Sequence, residues 1–483
     1  MKTKGLLTIA LLFSSLVVLA PVCSAAADDA SNPAPLAITH VTVVDVKNGA
    51  LLPDQTVVMD NRRIVQVIPS GQIRLPQDTV VYDATGKFVI PGLWDMHVHL
   101  LDDEQIAFPY LLANGVTGIR DMGAPLEDVQ RWRETLLDGT PAPHVFFAGP
   151  ALDGARTLGD GSLMQVNLRS PEEARAEVDQ LVQAGVDFIK VYTYLPDNVY
   201  KAIADEAKEQ GIPFAGHVPF AVSAKTAAEM GQKSIEHLYG VLIASSSREA
   251  EIRKNYADHL SYIFAVDLEA AQSFDKAKAH ALFETFANHD THMVPTLVVY
   301  HNLLGPIDPA LAQHVPTDIQ KYWEDYQKQI KAKNPGAQLT QSVISQLYQI
   351  YPHLIDEMNR QGVPIMAGTD TLWHEKEPTP NLVFGFSLHD ELELLVQAGL
   401  TPLEALQAAT ITPARFLGIE NSSGSIEAGK WADLVLLDEN PLVEIAHTRQ
   451  IWSVISDGRY LDKQTLQGML RTFPHPDVSG QTS

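Results

Sequence analysis

The chain has 483 residues, of which 45% are hydrophobic and 19% are charged, and its formal net charge is −24. This length exceeds one ordinary core and predicts a large domain with a smaller one beside it. The acidic balance argues against nucleic acid or an anionic membrane as a partner. The single cysteine, Cys23, excludes a disulfide within the chain.

Residues 1–27 have the pattern of a secretory signal peptide. Lys2 and Lys4 precede an apolar run over residues 6–19, which is too short for a membrane span, and small residues follow it. We expect an exported protein, periplasmic or secreted, with a lipoprotein anchor at Cys23 as the less favoured alternative. Cleavage would remove the cysteine, so any metal must be held by histidine, carboxylate or modified lysine.

Both ends of the remaining chain have the pattern of short strands. Residues 36–90 contain β-branched runs separated by turn signals such as Asn48-Gly49, and residues 421–465 have the same character. We expect the two segments to pair into one small β-sandwich domain.

Residues 91–420 alternate strand-like runs with helical patterns, for example a helix over Ser170–Ala184 that starts with an N-cap serine and a proline. Such alternation predicts an α/β fold, a (β/α)8 TIM barrel. The eight predicted strands are Leu93–Leu100, Val116–Asp121, His144–Ala148, Phe188–Tyr192, Pro213–His217, Ser234–His237, Met293–Val299 and Ile365–Thr369.

Two helical insertions, at residues 241–290 and 302–361, make this span longer than a standard barrel of roughly 250 residues. The second insertion is rich in aromatic residues, which either line a lid over the mouth of the barrel or, as the favoured alternative, serve ordinary helix packing. These residues are Tyr322, Trp323, Tyr326, Tyr348 and Tyr351.

The first strand carries two histidines, His97 and His99, which alternation places on one face. Imidazoles at this spacing lie about 6 to 7 Å apart along a strand and can close on one metal ion. A satisfied or surface role is equally compatible with the pair alone.

Other strand ends carry further candidate ligands. Lys190 lies within a core-type run, where a buried lysine is rare unless it is paired or modified. Its alternative is a strand-edge lysine that reaches solvent. His217, His237 and Asp370 each end a strand, and any one of them alone is compatible with a structural role. Because the carboxyl ends of barrel strands meet at the catalytic mouth, we expect all of these residues to lie together.

This set resembles the amidohydrolase superfamily of metal-dependent hydrolases, over nearly all of the mature chain. The motifs that carry the resemblance are Pro91-Gly92-Leu93-Trp94-Asp95-Met96-His97-Val98-His99, Phe188-Ile189-Lys190-Val191-Tyr192, Ala367-Gly368-Thr369-Asp370, Leu400-Thr401-Pro402-Leu403-Glu404-Ala405-Leu406 and Ala428-Gly429-Lys430-Trp431-Ala432-Asp433-Leu434.

The resemblance implies two divalent metal ions, expected to be zinc because imidazole and hard oxygen ligands suit it. Carboxylated Lys190 would bridge them, a metal-bound hydroxide would attack a carbonyl, and Asp370 would move the proton. The implied ligands are His97, His99 and Asp370 for the more buried ion, His217 and His237 for the other, and Lys190 between the two.

Within the superfamily, the chain is most similar to the imidazolonepropionase-like branch, with its Xaa-Pro dipeptidases, carboxypeptidases and ochratoxin-type amidases. The resemblance implies hydrolysis of an amide bond to a C-terminal amino acid in a dipeptide, an Xaa-Pro peptide or an N-acyl amino acid. Pro219 departs from the branch, whose dipeptidases have a tyrosine there. Tyr192 and His374 are the candidate substrate contacts in its place.

Arg120 and Arg156 are candidates for holding a substrate carboxylate, with a salt bridge to a neighbouring aspartate as the equal alternative. Tyr194, like Tyr192, is either a hydrogen-bond donor to the substrate or a packing or rim residue. A cyclic amidase, lactonase or deaminase is the alternative function within the superfamily, and a non-catalytic binding barrel is the alternative outside it. A small molecule or short peptide is the expected partner, and homo-oligomerisation stays open.

Overall fold

The computed structural model describes residues 34–137, 139–155, 164–257, 263–331, 340–373 and 380–473. The predicted signal peptide at residues 1–27, Cys23, Arg156 and His374 therefore lie outside the described residues. The described residues from 34 to 473 belong to one compact unit.

Both ends of the described chain contribute strands to one eight-stranded sheet. Their order is β17-β16-β15-β5-β1-β2-β3, and β4 pairs with β1. The strands form one connected sheet, and its division into a sandwich stays a prediction. The strands are β1 (Leu36–Asp45), β2 (Ala50–Asp60), β3 (Arg63–Pro69), β4 (Val80–Asp83), β5 (Phe88–Pro91), β15 (Leu434–Leu437), β16 (Ile451–Ser456) and β17 (Arg459–Leu461).

The middle of the chain forms two parallel sheets, one ordered β6-β7-β8 and the other β10-β9-β11-β12-β13-β14. The predicted mixed α/β fold is therefore confirmed. The strands are β6 (Leu93–Val98), β7 (Val116–Asp121), β8 (His144–Phe147), β9 (Ala151–Gly154), β10 (Gln165–Leu168), β11 (Ile189–Val191), β12 (Phe214–Gly216), β13 (Ser234–Glu236) and β14 (His292–Val294).

Backbone hydrogen bonds connect the two parallel sheets through residues 364–371. The Met96 amide donates to the Ala367 carbonyl at 2.9 Å, and the Met293 amide donates to the Pro364 carbonyl at 2.9 Å. On the other side, the amide of Asp187 donates to the carbonyl of Phe147 at 2.9 Å.

The predicted strand Met293–Val299 is wrong in its second half. Thr296 adopts a left-handed conformation, and a helix starts at Leu297. The buried carboxyl group of Glu391 accepts a hydrogen bond from the Val298 amide at 2.8 Å, which satisfies a free donor in the first turn.

The helices follow the strands and fill both insertions. At the start of α3 the Ser170 hydroxyl accepts a hydrogen bond from the Glu173 amide, as the sequence predicts. They are α1 (Glu104–Ala113), α2 (Leu126–Leu137), α3 (Pro171–Ala184), α4 (Asp197–Gln210), α5 (Ala224–Glu229), α6 (Val241–Ala244), α7 (Glu249–Tyr256), α8 (Ile263–Ala271), α9 (Lys276–Asn288), α10 (Leu297–Leu303), α11 (Pro309–Ala312), α12 (Thr317–Lys331), α13 (Gln341–Arg360), α14 (Phe386–Gln397), α15 (Pro402–Ala408), α16 (Ile411–Phe416) and α17 (Lys463–Met469).

Two of the aromatic residues considered for a lid, Trp323 and Tyr351, are buried in the main hydrophobic cluster, which favours the packing role for them. Among the described helices, none is long and apolar enough to cross a membrane.

Candidate metal centre

Four histidines lie together where the parallel strands end. The ring centres of His97 and His237 are 4.6 Å apart, those of His217 and His237 5.1 Å, and those of His97 and His99 5.4 Å. All four side chains are buried, because parallel strands are covered on both faces.

Each of the four imidazoles has a partner at Nδ1. Such a partner fixes the orientation of the ring and leaves Nε2 available as a metal ligand. The four contacts are His97 to Glu236 Oε2 at 2.9 Å, His99 to the Gly123 carbonyl at 3.1 Å, His217 to Thr193 Oγ1 at 2.7 Å and His237 to Thr296 Oγ1 at 2.7 Å.

Asp370 places a carboxylate against the first two histidines. Its Oδ1 lies 3.2 Å from Nε2 of His97 and 3.4 Å from Nε2 of His99. The residue adopts a left-handed conformation, with φ at 57°, and its amide donates to the His97 carbonyl at 2.7 Å. Burial would raise the pKa of this carboxyl, but the neighbouring His97 and His237 hold the pKa well below its usual value.

The side chain of Lys190 is fully buried, and its Nζ has no hydrogen-bond partner among the described residues. Burial lowers the pKa of this amine to about 8, against the opposing effect of Glu236 and Asp370. The charge of Lys190 also lowers the pKa of His217, after the larger effect of burial. Lys190 therefore lies among the histidines rather than at a solvent-facing strand edge.

The structure brings all six predicted ligands to one place, and donor atoms of His97, His237 and Asp370 lie within 4.8 Å of one another. These donors fit divalent metal ions, since imidazole nitrogen and carboxylate oxygen are the usual ligands of zinc. A buried amine without a partner is costly. Conversion of Lys190 to a carbamate would turn that unpaired cation into an anionic ligand, so the residues present fit the implied centre.

Glu236 was not predicted, although it precedes His237 directly. It is fully buried and accepts two hydrogen bonds from Nη2 of Arg120, at 2.9 and 3.0 Å. Burial alone would raise the pKa of Glu236, but Arg120 and His97 hold it well below its usual value. The signal in the sequence that could have identified this pair is a charged residue within each of two strand-like runs, Arg120 in one and Glu236 in the other.

The prediction that Arg120 holds a substrate carboxylate is wrong. Its guanidinium is fully buried, donates to the Met96 carbonyl at 2.7 Å and to Ser234 Oγ at 2.9 Å, and pairs with Glu236. A substrate cannot reach it. Its partner is also not the neighbouring aspartate that the alternative reading suggested.

Tyr192 lies beside the centre, with its ring stacked on that of His217 at 4.1 Å. Tyr239 was not predicted and also lies beside the centre, with its ring centre 4.7 Å from that of His217 and 4.8 Å from that of His237. Position 219 itself is a proline, so among these three residues the phenols near the two histidines are those of Tyr192 and Tyr239.

Comparison with known proteins identifies the family. The model of the amidohydrolase family matches residues 88–461. The chain is similar to adenine deaminase 2 of Jannaschia sp., with 32% identity over 27% of this chain and 22% of that protein. It is also similar to the ochratoxinase of Aspergillus niger, with 23% identity over 78% of this chain and 75% of that protein. The chain therefore spans about a fifth of the length of the first of these relatives.

Solved structures give the same fold. A proposed prolidase from Bifidobacterium longum has 25% identity and a TM-score of 0.64, covering 91% of this chain and 99% of that one. A Xaa-Pro dipeptidase with bound methionine in its active site has 20% identity and a TM-score of 0.64, covering 89% of this chain and all of that one (100%). The second likeness concerns the fold alone.

Proposed function

Because this chain belongs to the amidohydrolase family, and is thereby a hydrolytic enzyme acting on carbon–nitrogen bonds, we propose that it cleaves the amide bond to a C-terminal amino acid. The substrate would be a dipeptide, an Xaa-Pro peptide or an N-acyl amino acid. The names of two similar proteins, a proposed prolidase and an ochratoxinase, support this class of bond.

The observation that carries the proposal is the occupation of all four Nδ1 atoms around the unpartnered amine of Lys190. Histidines with a purely structural role would not need to keep all four Nε2 atoms available for a ligand on the same side. A binuclear metal centre requires that arrangement, because each ring must offer one nitrogen in a fixed direction.

We assign the two ions to the six residues as the resemblance implies, with Lys190 as carbamate and zinc as the metal. When bound, such ions make water nucleophilic near neutral pH and polarise a carbonyl. Asp370 Oδ1, which stays ionised, would take a proton at the site and pass it to the leaving nitrogen.

Substrate contacts are proposed for Tyr192, which stacks on His217, and for His374, which lies outside the described residues. Tyr192 offers a phenol near the centre that could hydrogen-bond a carbonyl oxygen. We retain export of the enzyme as a proposal, supported by the signal-peptide pattern at residues 1–27.

We further infer that the parallel strands close into a (β/α)8 barrel. Support comes from the backbone hydrogen bonds that connect β6 and β14 to residues 364–371, and β8 to the start of β11. A closed barrel places the ends of all of these strands at one mouth.

Deamination of a purine is the second candidate, because the chain is similar to adenine deaminases. Lys190 weighs against it, since a bridging lysine suits a binuclear amidase better than a mononuclear deaminase. The similarity covers 22% of one such relative and 59% of another.

The test is the release of free amino acids by the zinc-loaded protein from Xaa-Pro dipeptides, other dipeptides and N-acyl amino acids, with adenine as a parallel substrate. We expect release of a C-terminal amino acid that a chelator abolishes. Ammonia from adenine without amino-acid release would favour the deaminase instead. A matched Asp370→Asn variant should retain metal and lose turnover, and full turnover in that variant would contradict its role.

A further inference from the structure

Thr296 connects β14 to α10 and occupies the N-cap position of that helix. Its hydroxyl oxygen lies 2.7 Å from Nδ1 of His237 and makes no capping hydrogen bond to its own helix. The backbone explains the difference, because φ is 48° and ψ is 47°, in the left-handed region, whereas a capping residue is normally extended. Thr296 therefore contacts the histidine instead of capping the helix.

Two other N-cap threonines show the ordinary arrangement. Thr340 and Thr401 start α13 and α15 with extended backbones, and their hydroxyls accept hydrogen bonds from the amides of Val343 and Glu404. A β-branched residue in the left-handed region is uncommon, and such strain persists only where the surrounding structure imposes it. Other contacts must therefore hold Thr296 in its conformation.

Glu391 on α14 supplies the acceptor that Thr296 does not. The side chain is fully buried, and its Oε2 accepts a hydrogen bond from the Val298 amide at 2.8 Å. The Val299 amide donates to the Thr296 carbonyl at 3.0 Å. These are the second and third residues of α10, whose amides an N-cap hydroxyl ordinarily binds. Both donors are thus satisfied without the Thr296 hydroxyl.

Removal of the Glu391 carboxyl group would change what the Thr296 hydroxyl binds. Val298 is fully buried, and a buried amide without an acceptor is costly. The N-cap hydroxyl is the acceptor that a helix start normally uses, so Thr296 would be drawn to this amide. Nδ1 of His237 would then lose the partner that orients the ring.

We propose that Glu391 is a positioning residue: it takes the place of the N-cap of α10 and thereby keeps the Thr296 hydroxyl on Nδ1 of His237. This inference rests on the proposed role of His237 as a metal ligand. It adds a residue on α14 that acts on the metal centre through the start of a helix.

The test is a double-mutant cycle with Glu391→Leu and Thr296→Val, in which zinc affinity is measured by competition with a chelator. Each single variant should bind zinc about 10- to 100-fold more weakly, the usual cost of losing an outer partner of a ligand. In Thr296→Val the hydroxyl is already absent, so Glu391→Leu should lower the affinity further by less than about twofold.

A full second loss would show that Glu391 stabilises the helix without acting through Thr296, and it would overturn the proposal. Wild-type affinity in Thr296→Val would also overturn it. If Glu391→Leu does not fold, Glu391→Asp replaces it in the cycle. Its side chain is one methylene shorter, so the carboxyl group is withdrawn from the Val298 amide, and we expect a smaller loss in the same direction.

Two further variants complete the test. Glu391→Gln keeps an acceptor oxygen for the Val298 amide and should restore the zinc affinity of the wild type. Thr401→Val is the matched control, because the Thr401 hydroxyl caps its own helix, and this variant should also bind zinc as the wild type does. A loss in either variant as large as that in Glu391→Leu would contradict the proposal.

Zinc binding needs no substrate, so this experiment separates the two proposals. Coupling between the two variants with no turnover of any amide would leave the positioning role intact and overturn the proposed reaction. Turnover with independent losses would do the reverse.

Discussion

Glu236 shows how one residue connects the stability of the molecule to its candidate chemistry. The carboxylate neutralises the buried guanidinium of Arg120 and orients the ring of His97 through Nδ1. A buried pair of this kind contributes little net stability, but breaking it leaves one charge uncompensated. The same carboxylate is therefore needed for folding and for the direction of a metal ligand.

Glu236→Gln should consequently lower both the free energy of unfolding and metal affinity. Loss of one partner of a buried ion pair costs about 3–5 kcal/mol, and loss of an outer partner of a ligand costs about 10- to 100-fold in metal affinity. Urea unfolding and chelator competition would measure the two effects.

Glu104→Gln is the control for that variant. Glu104 is buried, but its partner Arg131 is partly exposed, with an Nε–Oε1 distance of 2.9 Å. A pair open to water contributes about 0–1 kcal/mol. If Glu236→Gln were as mild as the control, the assigned double role would be wrong.

Lys190→Met separates the metal-binding role of this lysine from its structural cost. Methionine has a similar length and no charge, so it removes an unpartnered buried amine. We expect loss of bound metal, measured by elemental analysis, without a decrease in the stability of the metal-free protein.

Lys430→Met provides the contrasting case. Lys430 is also buried, but its Nζ lies 3.2 Å from the Ser423 carbonyl and 3.3 Å from Glu427 Oε2. This variant should keep its metal and lose stability. Retention of full metal content in Lys190→Met would contradict the bridging role.

At the scale of elements, the close approach of β11 and β12 sets the distance between Lys190 and His217. Gly216 lies between them, with φ at 137°, and a Cβ there would come 2.1 Å from the Val191 carbonyl oxygen. A side chain would push the two strands apart.

Gly216→Ala should therefore reduce metal content as well as stability. Gly211→Ala is the matched control, because Gly211 also has a positive φ, 70°, but an added Cβ would meet nothing within 4 Å. The control should cost about 1–2 kcal/mol of left-handed strain and keep its metal. Equal metal content in both variants, measured by elemental analysis, would argue against this spacing role.

The start of α10 depends on a carboxyl that is neutral over much of the physiological pH range. Burial raises the pKa of Glu391 to about 8 from an ordinary value of 4.5, against the opposing hydrogen bonds from the Val298 and Leu297 amides. Between these two pH values the folded protein binds a proton that the unfolded chain has released. Its stabilising contribution is therefore complete below about pH 4.5 and is lost as the pH rises through about 8.

Glu391→Gln should remove this dependence. The unfolding free energy of the wild type, relative to the variant, should fall by up to about 1.4 kcal/mol per pH unit within that window. Urea titrations across the window would measure it. Glu393→Gln is the control: Glu393 lies on the same helix and is paired at the surface with Arg449, so this variant should show the pH dependence of the wild type. If the unfolding free energy of Glu391→Gln fell with pH as steeply as that of the wild type, Glu391 would already be ionised in the folded protein.

At the scale of the whole molecule, the sequence predicted the features that follow from the order of the parallel strands. His217 and His237 each directly follow a buried strand, His97 lies near the carboxyl end of β6, and the carboxyl ends of such strands meet at one edge. Their proximity therefore followed from strand order alone. The alternation of strands and helices predicted the α/β class for the same reason.

Contacts between distant residues were not predictable in this way. Arg120 and Glu236 are 116 residues apart, and Asp267 and Tyr351 are 84 apart. The sequence places these residues in separate strands or helices but does not show which of them meet. The end of β14 was missed for the same reason, since Glu391, which stabilises the following helix, is 93 residues away from Val298.

The central claim is that six residues, contributed by the ends of β6, β11, β12 and β13 and by residues 364–371, form one binuclear metal centre. The most direct measurement is the number of zinc ions per chain, by elemental analysis of the protein after dialysis against zinc and removal of excess metal. We predict two ions per chain in the wild type and fewer in Lys190→Met. A wild-type protein that retains no zinc, or a Lys190→Met variant that retains as much as the wild type, would contradict the account.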